Sequence, residues 1–553
     1  MNRINFKDST ATVRKIILFI GCFLIVSGLT AQTLTSSNLP IIVINTNGQT
    51  IPDDPKITAD MGIIYNGNGV RNNITDPFNH YNGKIAIEVR GQSSQMFPMK
   101  SYSIELRDGL GNSQDKVLFG LPKESDWVLY APYTDKTLMR NFLAYTMSRE
   151  MGHWAANCRY AEVVINGDYK GIYVFMEKIK RGSGRVNISK IATSDISGDA
   201  VTGGYIFSLD KQATGWFSSY SAPNATNPGK TPQFDYVYPK VENIVRQQSD
   251  YIKRYVDSFE NVLADPQFQD KVNGVRRFAD IPSFVDYFIV NEVSRNVDAY
   301  RLSSFFYKDR NSRNSKIFAG PVWDYDLAFR NANYCNGSDI SGWAYEFNYI
   351  CPTDAAGLVP FWWNKFMTDT LFQSDLRCRW KQVRQTSMSL THLDFLIDSV
   401  VNLTAEARIR HFQRWPVLGQ YVWPNPQPIP DTYDGEITAL KSWIDARLQW
   451  IDANISNTGD CYDYPADRNE TIIVSINPSP LQGYGTVVIQ SKNEQLLSIR
   501  VCDMMGRVVF LKQLALRRGI NTMNLNGNYW ASGVYFMLLQ SSNGDKEVRK
   551  LLR

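Results

Sequence analysis

The sequence has little of what a zinc site needs. It contains four histidines and seven cysteines in 553 residues, and no two cysteines stand in a CxxC spacing. Zinc ions are held by closely spaced Cys and His side chains. The sequence therefore argues against a zinc-dependent function.

A strong excess of charge is also absent. The formal net charge is +5, and no long run of like charges occurs. Residues 1–31 carry a net +3, so the rest of the chain is left with +2. Proteins that bind nucleic acid present basic patches to the phosphate backbone. This balance predicts that nucleic acid is not a partner.

No apolar run is long enough to cross a bilayer, which takes about 20 residues. Residues 16–29 form an apolar run of 14 residues directly after Arg14 and Lys15. Together with Ala31 as a small residue before the cut, this pattern is typical of a signal peptide. We therefore predict a signal peptide over residues 1–31 and an exported mature chain without a transmembrane span. An uncleaved membrane anchor is the alternative.

The chain after the signal peptide combines strand and helix patterns. Alternating apolar residues, as at 84–89, predict short β-strands, and the Asn166-Gly167 pair predicts a hairpin turn. From about residue 245 apolar residues recur at helical spacing. The predicted fold class of the domain at 32–455 is α+β.

A polar stretch at 456–470 predicts a linker, and the composition changes after it. Residues 471–553 form short strand segments with regularly spaced turns. Such spacing is typical of a small all-β sandwich, Ig-like in kind. We therefore predict a second domain at 471–553.

Six cysteines remain outside the signal peptide, and an exported chain can join them as disulfides. Cys335 and Cys351 flank a loop rich in glycine and aromatic residues and form the preferred pair. The pairing of the other four stays open.

Residues 90–94, with the sequence RGQSS, form a turn of small residues between two predicted strands. Such a turn can present backbone N–H groups to phosphate oxygens, and Lys100 could neutralise phosphate charge. Glu177, at the end of another predicted strand, could orient Lys100 as an ion pair. An ordinary hairpin with a surface lysine and an exposed glutamate is the alternative.

Two acidic segments follow predicted elements in the second half of this domain. Asp298 comes after a helix, and Asp324 comes after a strand. Carboxylates at element ends could face one cleft, where they would hold Mg²⁺ and accept a hydroxyl proton in phosphoryl transfer. Helix and turn capping is the alternative, because Asp is common in both roles.

Five segments of the chain resemble the CotH kinase family of spore-coat proteins. In chain order they are RGQSSQMFPMKSYSIEL, DWVLYAPYTDKTLMRNFLAYTMSREMG, YKGIYVFMEKI, NVDAYRLSSFFYKD and GPVWDYDLAF. They cover roughly residues 40–455, and their order makes the resemblance specific. It implies an atypical protein-kinase fold that phosphorylates exported proteins, with ATP and Mg²⁺ or Mn²⁺ as cofactors.

The resemblance also implies roles for individual residues. Lys100 would contact the phosphates with Glu177 as its partner, and Asp298 would orient the acceptor hydroxyl or act as base. Asp324 would bind the metal, with Asp326 as a helper. The remaining nucleotide-binding residues that it implies are Arg90, Gly91, Ser93, Arg140 and Asn141.

Position 303 departs from the family pattern. Many relatives have asparagine there as a second metal ligand, whereas this chain has Ser303. A serine hydroxyl is a shorter and weaker ligand than an amide oxygen.

The C-terminal segment resembles the type IX secretion sorting domain of Bacteroidetes. The matching pieces are INPSP, MMGRVV, GINTMNL, ASGVYFMLL and the terminal KLLR. The resemblance implies the type IX secretion machinery as a partner and a secreted or cell-surface product.

The sequence thus leads to two hypotheses from different classes. The first is a secreted, metal-dependent kinase that transfers phosphate from ATP to Ser or Thr of exported proteins. The second is a catalytically silent CotH-like binding or structural protein, which Ser303 favours. A carbohydrate-active protein is a third reading, which rests only on the 13% aromatic content and the export signals.

Overall fold

The structure is a computed structural model of the chain. It describes residues 34–211, 214–223, 229–270, 272–351, 357–455, 461, 472–491, 494–517, 519–541 and 546–553. The predicted signal peptide and most of the predicted linker lie outside the described residues. Among the described helices, none combines the length and the apolar character needed to cross a bilayer.

The N-terminal part is built from nine strands. They are β1 (Ser36–Ser37), β2 (Ile41–Asn45), β3 (Ile57–Ile64), β4 (Asn72–Asn73), β5 (Tyr81–Arg90), β6 (Ser101–Arg107), β7 (Asp126–Tyr130), β8 (Cys158–Ile165) and β9 (Asp168–Glu177). Seven of them close into a barrel in the order β2-β3-β5-β6-β7-β9-β8, while β1 pairs with β4. The barrel strands pair antiparallel except β2 with β8.

Strand alternation decides which side chains fill this barrel. Ile87, Ile104 and Trp127 lie side by side in register and belong to its buried interior. Val128 and Met176 belong to a different core, because successive side chains of a strand point to opposite faces. The outer face of β7, β8 and β9 therefore packs against the rest of the domain.

The expected hairpin joins β8 to β9. Ile165 pairs with Asp168 across the turn, and Asn166 and Gly167 both have positive φ, at 53° and 79°. This is the two-residue turn that matches the twist of paired strands, and asparagine followed by glycine tolerates it best.

The second half of the domain combines helices with a five-stranded sheet. The helices are α1 (Arg140–Glu150), α2 (Arg246–Ala264), α3 (Ile281–Ser294), α4 (Phe347–Ile350), α5 (Trp362–Phe366), α6 (Thr370–Arg384), α7 (Leu390–Leu403), α8 (Ala407–Arg414) and α9 (Tyr433–Asn454). The strands are β10 (Tyr205–Leu209), β11 (Trp216–Phe217), β12 (Gln233–Tyr238), β13 (Ser304–Lys308) and β14 (Ile317–Ala319). Their order in the sheet is β11-β12-β10-β13-β14.

Helix α3 runs through the centre of this half. It begins at Asp280, whose carboxylate accepts a hydrogen bond from the Ser283 N–H, and it has Pro282 in its first turn. Nearly all of its side chains are buried, and it ends at Arg295, whose φ is +43°. Because α3 is fixed on all sides, the chain leaves it in a defined direction towards Asp298.

The C-terminal part is all-β, as expected. Its strands are β15 (Ile472–Gln482), β16 (Tyr484–Ser491), β17 (Gln495–Asp503), β18 (Val508–Leu516), β19 (Gly519–Asn526), β20 (Val534–Ser541) and β21 (Lys546–Leu552). They form one sheet in the order β15-β16-β19 and another in the order β18-β17-β20-β21. These strands share one apolar core, and the described chain as a whole is α+β.

A carboxylate is buried beneath the five-stranded sheet. Glu260 is fully buried and accepts hydrogen bonds from the Ser218 hydroxyl and from the Trp362 indole N–H. Burial raises the pKa of Glu260 from 4.5 to about 7, and these hydrogen bonds oppose the shift. The folded protein therefore holds this proton more tightly than the unfolded chain does.

We expect Glu260→Gln to stabilise the protein at high pH. The stability that the protonated Glu260 contributes is full below about pH 4.5 and is lost as the pH rises through about 7. A neutral amide escapes this loss, so the variant should have a higher Tm than the parent at pH 8 and a similar Tm at pH 5. Thermal unfolding followed by circular dichroism measures both.

The control is Glu242→Gln, because the Glu242 side chain is 59% exposed. It should behave like the parent at both pH values. If Glu260→Gln changed the Tm equally at pH 5 and pH 8, Glu260 would not be a buried carboxylate that titrates in this range.

Candidate functional site

Three chain segments emerge at one edge of the five-stranded sheet. In the antiparallel sheet, β10 ends at Leu209, which pairs with Ser304 at the start of β13. Strand β14 is antiparallel to β13 and ends at the same edge. The sheet therefore brings together residues that are far apart in sequence, namely Asp210, the 296–303 loop and the segment after β14.

The segment after β14 contains Asp324 and Asp326, and its backbone is held by buried polar groups. The Tyr145 hydroxyl accepts a hydrogen bond from the Asp324 N–H at 3.1 Å, and the Asn141 side-chain oxygen accepts from the Tyr325 N–H at 2.6 Å. These contacts come from α1 and determine where the two carboxylates lie.

Unfavourable backbone conformations concentrate here. Among the described residues, twelve non-glycine residues have positive φ, and eight of them lie between residues 295 and 336. They include Ser303 at 45° and Asp324 at 64°. Such conformations cost about 1–3 kcal/mol each and cluster at functional sites, where the surrounding structure enforces them.

The carboxylates at this edge raise one another's pKa. Asp324 is accessible to solvent. Desolvation and then the Asp298 charge raise its pKa, while Arg90 opposes the shift. Desolvation and the charges of Asp324 and Asp298 also raise the pKa of Asp326. A bound cation would relieve this repulsion.

Arg90 brings a positive charge from the end of β5 to these carboxylates. Burial lowers its pKa, and the Asp324 charge opposes that shift. Its guanidinium carbon lies 5.4 Å from the centre of the Trp323 ring, which stacks on Tyr145. Its Nη1 atom is buried without a hydrogen-bond partner.

The turn after Arg90 is compact and lies at the barrel rim. Gly91 has a φ of +99°, and a Cβ there would come within 2.0 Å of the Ser94 hydroxyl, so only glycine fits. Ser93 is exposed in a short 3-10 turn. The turn thus brings Gly91 and Ser93 near Arg90, and their predicted role in nucleotide binding stays a prediction.

The predicted ion pair between Lys100 and Glu177 does not form. Lys100 donates to the Gln95 carbonyl, while one Glu177 oxygen accepts from the backbone and side-chain N–H groups of Asn157. Strand register explains this, because Glu177 is level with Ile104 across β7. Lys100 lies four residues earlier along β6, about 13 Å along the strand and two strands away.

Lys178 directly follows β9 and lies within electrostatic reach of Arg90, and our sequence reasoning did not single it out. Alternation along β9 directs Phe175 to the barrel interior and Met176 to the outer face, and Lys178 comes one residue after the strand ends. Burial lowers the pKa of Lys178, the Asp126 charge opposes this, and Arg90 adds to it. In the part of the chain that the structure describes, its ammonium group has no ion-pair partner. Strand alternation was the signal that could have identified it.

Arg140 was predicted to bind nucleotide, and the structure gives it a different role. It is 2% exposed and forms an ion pair with Asp135, which is fully buried. Its Nε atom also donates to the carbonyls of Ala328 and Phe329. The Nε and Nη1 atoms of Arg140 thus fix the segment that follows Asp326.

Asn141 was also predicted to bind nucleotide, but its oxygen is committed to the Tyr325 N–H. Its side-chain nitrogen is buried without a partner. Asn141 therefore positions the two carboxylates on either side of Tyr325.

Asp210 is the second residue that our sequence reasoning missed. It follows β10 directly, and the Ser303 hydroxyl donates to its Oδ2 atom at 3.5 Å. Desolvation, then Asp235 and Asp298, raise its pKa. No local motif marks Asp210, since only the sheet brings it opposite Ser303.

The oxygen donors of this site suit a hard divalent cation. Mg²⁺ is usually held by one or two carboxylates together with waters and substrate phosphates. Within the described ranges, no three Asp, Glu, His or Cys side chains converge on a position that could hold a metal. The residues therefore fit an ion that arrives with phosphate groups rather than one held by the protein alone.

Two disulfides brace this half of the domain, Cys335–Cys351 and Cys378–Cys461. The first closes a loop whose Gly342 carbonyl accepts hydrogen bonds from Arg295 and Arg447. Arg295 is the residue at which α3 ends, so this loop supports the start of the segment that leads to Asp298.

We expect Arg140→Met to reduce stability strongly, because it leaves Asp135 as an unpaired buried charge. Loss of one partner from a buried ion pair costs about 3–5 kcal/mol. The measurement is the thermal unfolding of the full chain. The control is Asp60→Asn, which breaks an exposed pair with Lys84 and should change Tm little. An unchanged Tm with a selective loss of ATP binding would restore Arg140 as a nucleotide-binding residue.

Comparison with known proteins agrees with the segments that build this site. The family model described as CotH kinase protein matches residues 87–451, about two-thirds of the chain. The model described as secretion system C-terminal sorting domain matches residues 475–552. Among curated proteins, no sequence matches the chain at a significant level. The chain therefore belongs to the CotH kinase protein family and carries a C-terminal secretion sorting domain.

Proposed function

We propose that this protein is a secreted or cell-surface atypical kinase, which transfers phosphate from ATP to Ser or Thr hydroxyls of exported proteins. The observation that carries the proposal is the position of Arg90, whose guanidinium lies over the ring of Trp323, directly before Asp324, and interacts with the Asp324 charge. Phosphoryl transfer requires cations beside the phosphates and carboxylates that hold the metal. Both kinds of group meet at this one edge.

Two partly desolvated cations could face the phosphates. Arg90 interacts with the Asp324 charge, and Lys178 lies within electrostatic reach of Arg90. We assign Arg90 and Lys178 to the phosphates, because both positive charges are partly desolvated and neither has an ion-pair partner among the described residues. Lys100 is committed to the turn at 93–96 and contributes to its shape.

The carboxylates divide into two roles. Asp324 and Asp326 would hold Mg²⁺ or Mn²⁺, which would supply positive charge to offset that of the phosphates. Asp298 lies in the loop after α3, and its backbone N–H is bound by the Asn296 side chain at 3.2 Å. From there it would accept the proton of the acceptor hydroxyl.

The sorting domain defines where this chemistry would occur. It indicates secretion and attachment to the cell surface, and it implies the type IX secretion machinery as a partner. The substrates of such a kinase would be proteins exported to the same compartment.

We expect Lys178→Met to weaken ATP binding by about tenfold or more, because a hydrogen bond to a charged group contributes about 1.5–3 kcal/mol. The matched control is Lys100→Met, which removes the same charge at the other position and should have a much smaller effect. Isothermal titration calorimetry of the mature chain with ATP and Mn²⁺ measures both. If Lys100→Met weakened ATP binding strongly and Lys178→Met did not, Lys100 would be the residue that contacts the phosphates.

Asp324→Asn and Asp298→Asn should separate binding from transfer. Asp324→Asn should abolish metal-dependent ATP binding, because the phosphates contact the protein largely through the ion. Asp298→Asn should leave binding nearly unchanged and remove transfer, since an orienting base acts mainly in the transition state. Calorimetry and transfer of radiolabelled phosphate to a Ser-rich protein give the two readouts. Loss of ATP binding in both variants would contradict the assigned roles.

A catalytically silent CotH-like surface protein is the second candidate. The absence of the Lys100–Glu177 pair, together with the serine at position 303, favours it. A parent protein that binds no ATP with any divalent cation would replace the kinase proposal with this one.

A further inference from the structure

Three aromatic side chains from two segments of the chain meet at the surface of the domain. They are Tyr334, Tyr421 and Trp423, which we call the aromatic platform. The rings of Tyr334 and Trp423 stack, with 6.0 Å between their centres and 5° between their planes. The Asn333 side chain donates to the Tyr421 hydroxyl at 3.0 Å. Tyr421 is 54% exposed and Trp423 is 39% exposed, so large aromatic side chains face water here.

The loop at 419–430, which carries two of these rings, is firmly held despite their exposure. The N–H of its first residue donates to the carbonyl of its last residue at 3.1 Å. Asn425 is buried and donates to the side-chain oxygen of Asn331 at 2.9 Å, and Asn331 donates to the Asp326 carbonyl at 2.7 Å. The fold therefore holds the rings at the surface and ties their loop to the segment that carries the carboxylates.

The two segments that form the platform are uncharged. Residues 331–338 and 415–430 contain no acidic or basic residue. Arg330 and Lys136 contact the loop, but each donates to one of its backbone carbonyls. Nucleic acid also stacks on aromatic rings, but its binding needs cations that contact the phosphates. The surface is therefore suited to an uncharged ligand.

The chemistry of the platform fits a neutral glycan. A pyranose ring presents C–H groups on a flat face, which packs against an aromatic ring, and it carries hydroxyl groups around its edge. Tyrosine and tryptophan provide a large, rigid contact area at a low cost in conformational entropy. Amide side chains both donate and accept hydrogen bonds, as hydroxyl groups require. The exposed amides of the two segments are Asn333, Asn336, Gln420 and Gln427.

We propose that the aromatic platform is a binding site for a neutral glycan built of pyranose rings. Tyr421 and Trp423 would pack against the sugar rings, and Tyr334 supports Trp423 from behind its stacked face. The site is separate from the kinase function, because it uses neither the nucleotide nor the carboxylates. A bound glycan would lie close to the segment that carries Asp324 and Asp326, since hydrogen bonds join the loop to that segment.

The test is affinity electrophoresis of the full mature chain in native gels that contain laminarin, hydroxyethyl cellulose, mannan or glycol chitin. At least one of these should retard the parent. Tyr421→Ala and Trp423→Ala should each raise the Kd by about tenfold or more, because each removes a ring that packs against the sugar. Trp423→Phe should keep most of the affinity and Trp423→Leu little of it, because stacking needs a flat ring.

The matched control is Phe217→Ala, which removes an aromatic side chain that is 60% exposed. Phe217 lies on β11, at the opposite edge of the five-stranded sheet from β14, so this variant should bind like the parent. Asp324→Asn should also bind like the parent, which separates glycan binding from the kinase function. Thermal unfolding verifies that each variant is folded, and Tyr421→Ala decides if Trp423→Ala does not fold.

The remaining outcomes would overturn the proposal. If none of the polysaccharides retards the parent, the platform is not a glycan site. If the parent and both alanine variants are retarded equally, the glycan binds elsewhere on the chain. If Asp324→Asn abolishes retardation, the glycan occupies the kinase site instead. If only a Ser-rich protein binds, and Trp423→Ala abolishes that binding, the platform is a docking surface for a protein acceptor.

Discussion

The buried contacts between α1 and the segment at 324–329 are the constraint on which the rest of the site depends. Arg140 is neutralised by Asp135 and donates to the Ala328 and Phe329 carbonyls. One residue further along the helix, Asn141 holds the Tyr325 N–H. These groups have no access to bulk water, so releasing the segment would leave several of them unpaired, at about 1–3 kcal/mol each. That cost is comparable to the backbone strain at Asp324, which explains how the strained segment persists.

The site also depends on which part of the fold carries which charge. The rim and outer face of the barrel supply cations, and the edge of the five-stranded sheet supplies carboxylates. Neither set is satisfied by itself, because the carboxylates repel one another and Arg90 has an unpaired buried nitrogen. A nucleotide with its metal ion would supply both missing charges, which supports the proposed kinase function.

A disulfide reinforces this arrangement at the end of α3. The loop closed by Cys335 and Cys351 binds Arg295 through its Gly342 carbonyl, and Arg295 ends the helix that leads to Asp298. Such covalent support suits a protein that works outside the cytoplasm, where disulfides persist. The sorting domain and the disulfides are therefore both typical of a protein outside the cytoplasm.

The sequence by itself determined the elements, the fold class and the acidic segments. Periodicity and turn chemistry are local, so the β8–β9 hairpin, the first turn of α3 and the all-β tail could be predicted from neighbouring residues. The Asp298 and Asp324 segments could be identified for the same reason, since their motifs are contiguous.

Only the tertiary structure decided which side chains meet. Lys100 and Glu177 were predicted as a pair because their types match, but the register of three strands separates them. Asp210 meets Ser303 only because β10 and β13 pair up to that end of the sheet. Those are relations between distant segments, and hydrogen bonding between strands fixes them only when the sheet has formed.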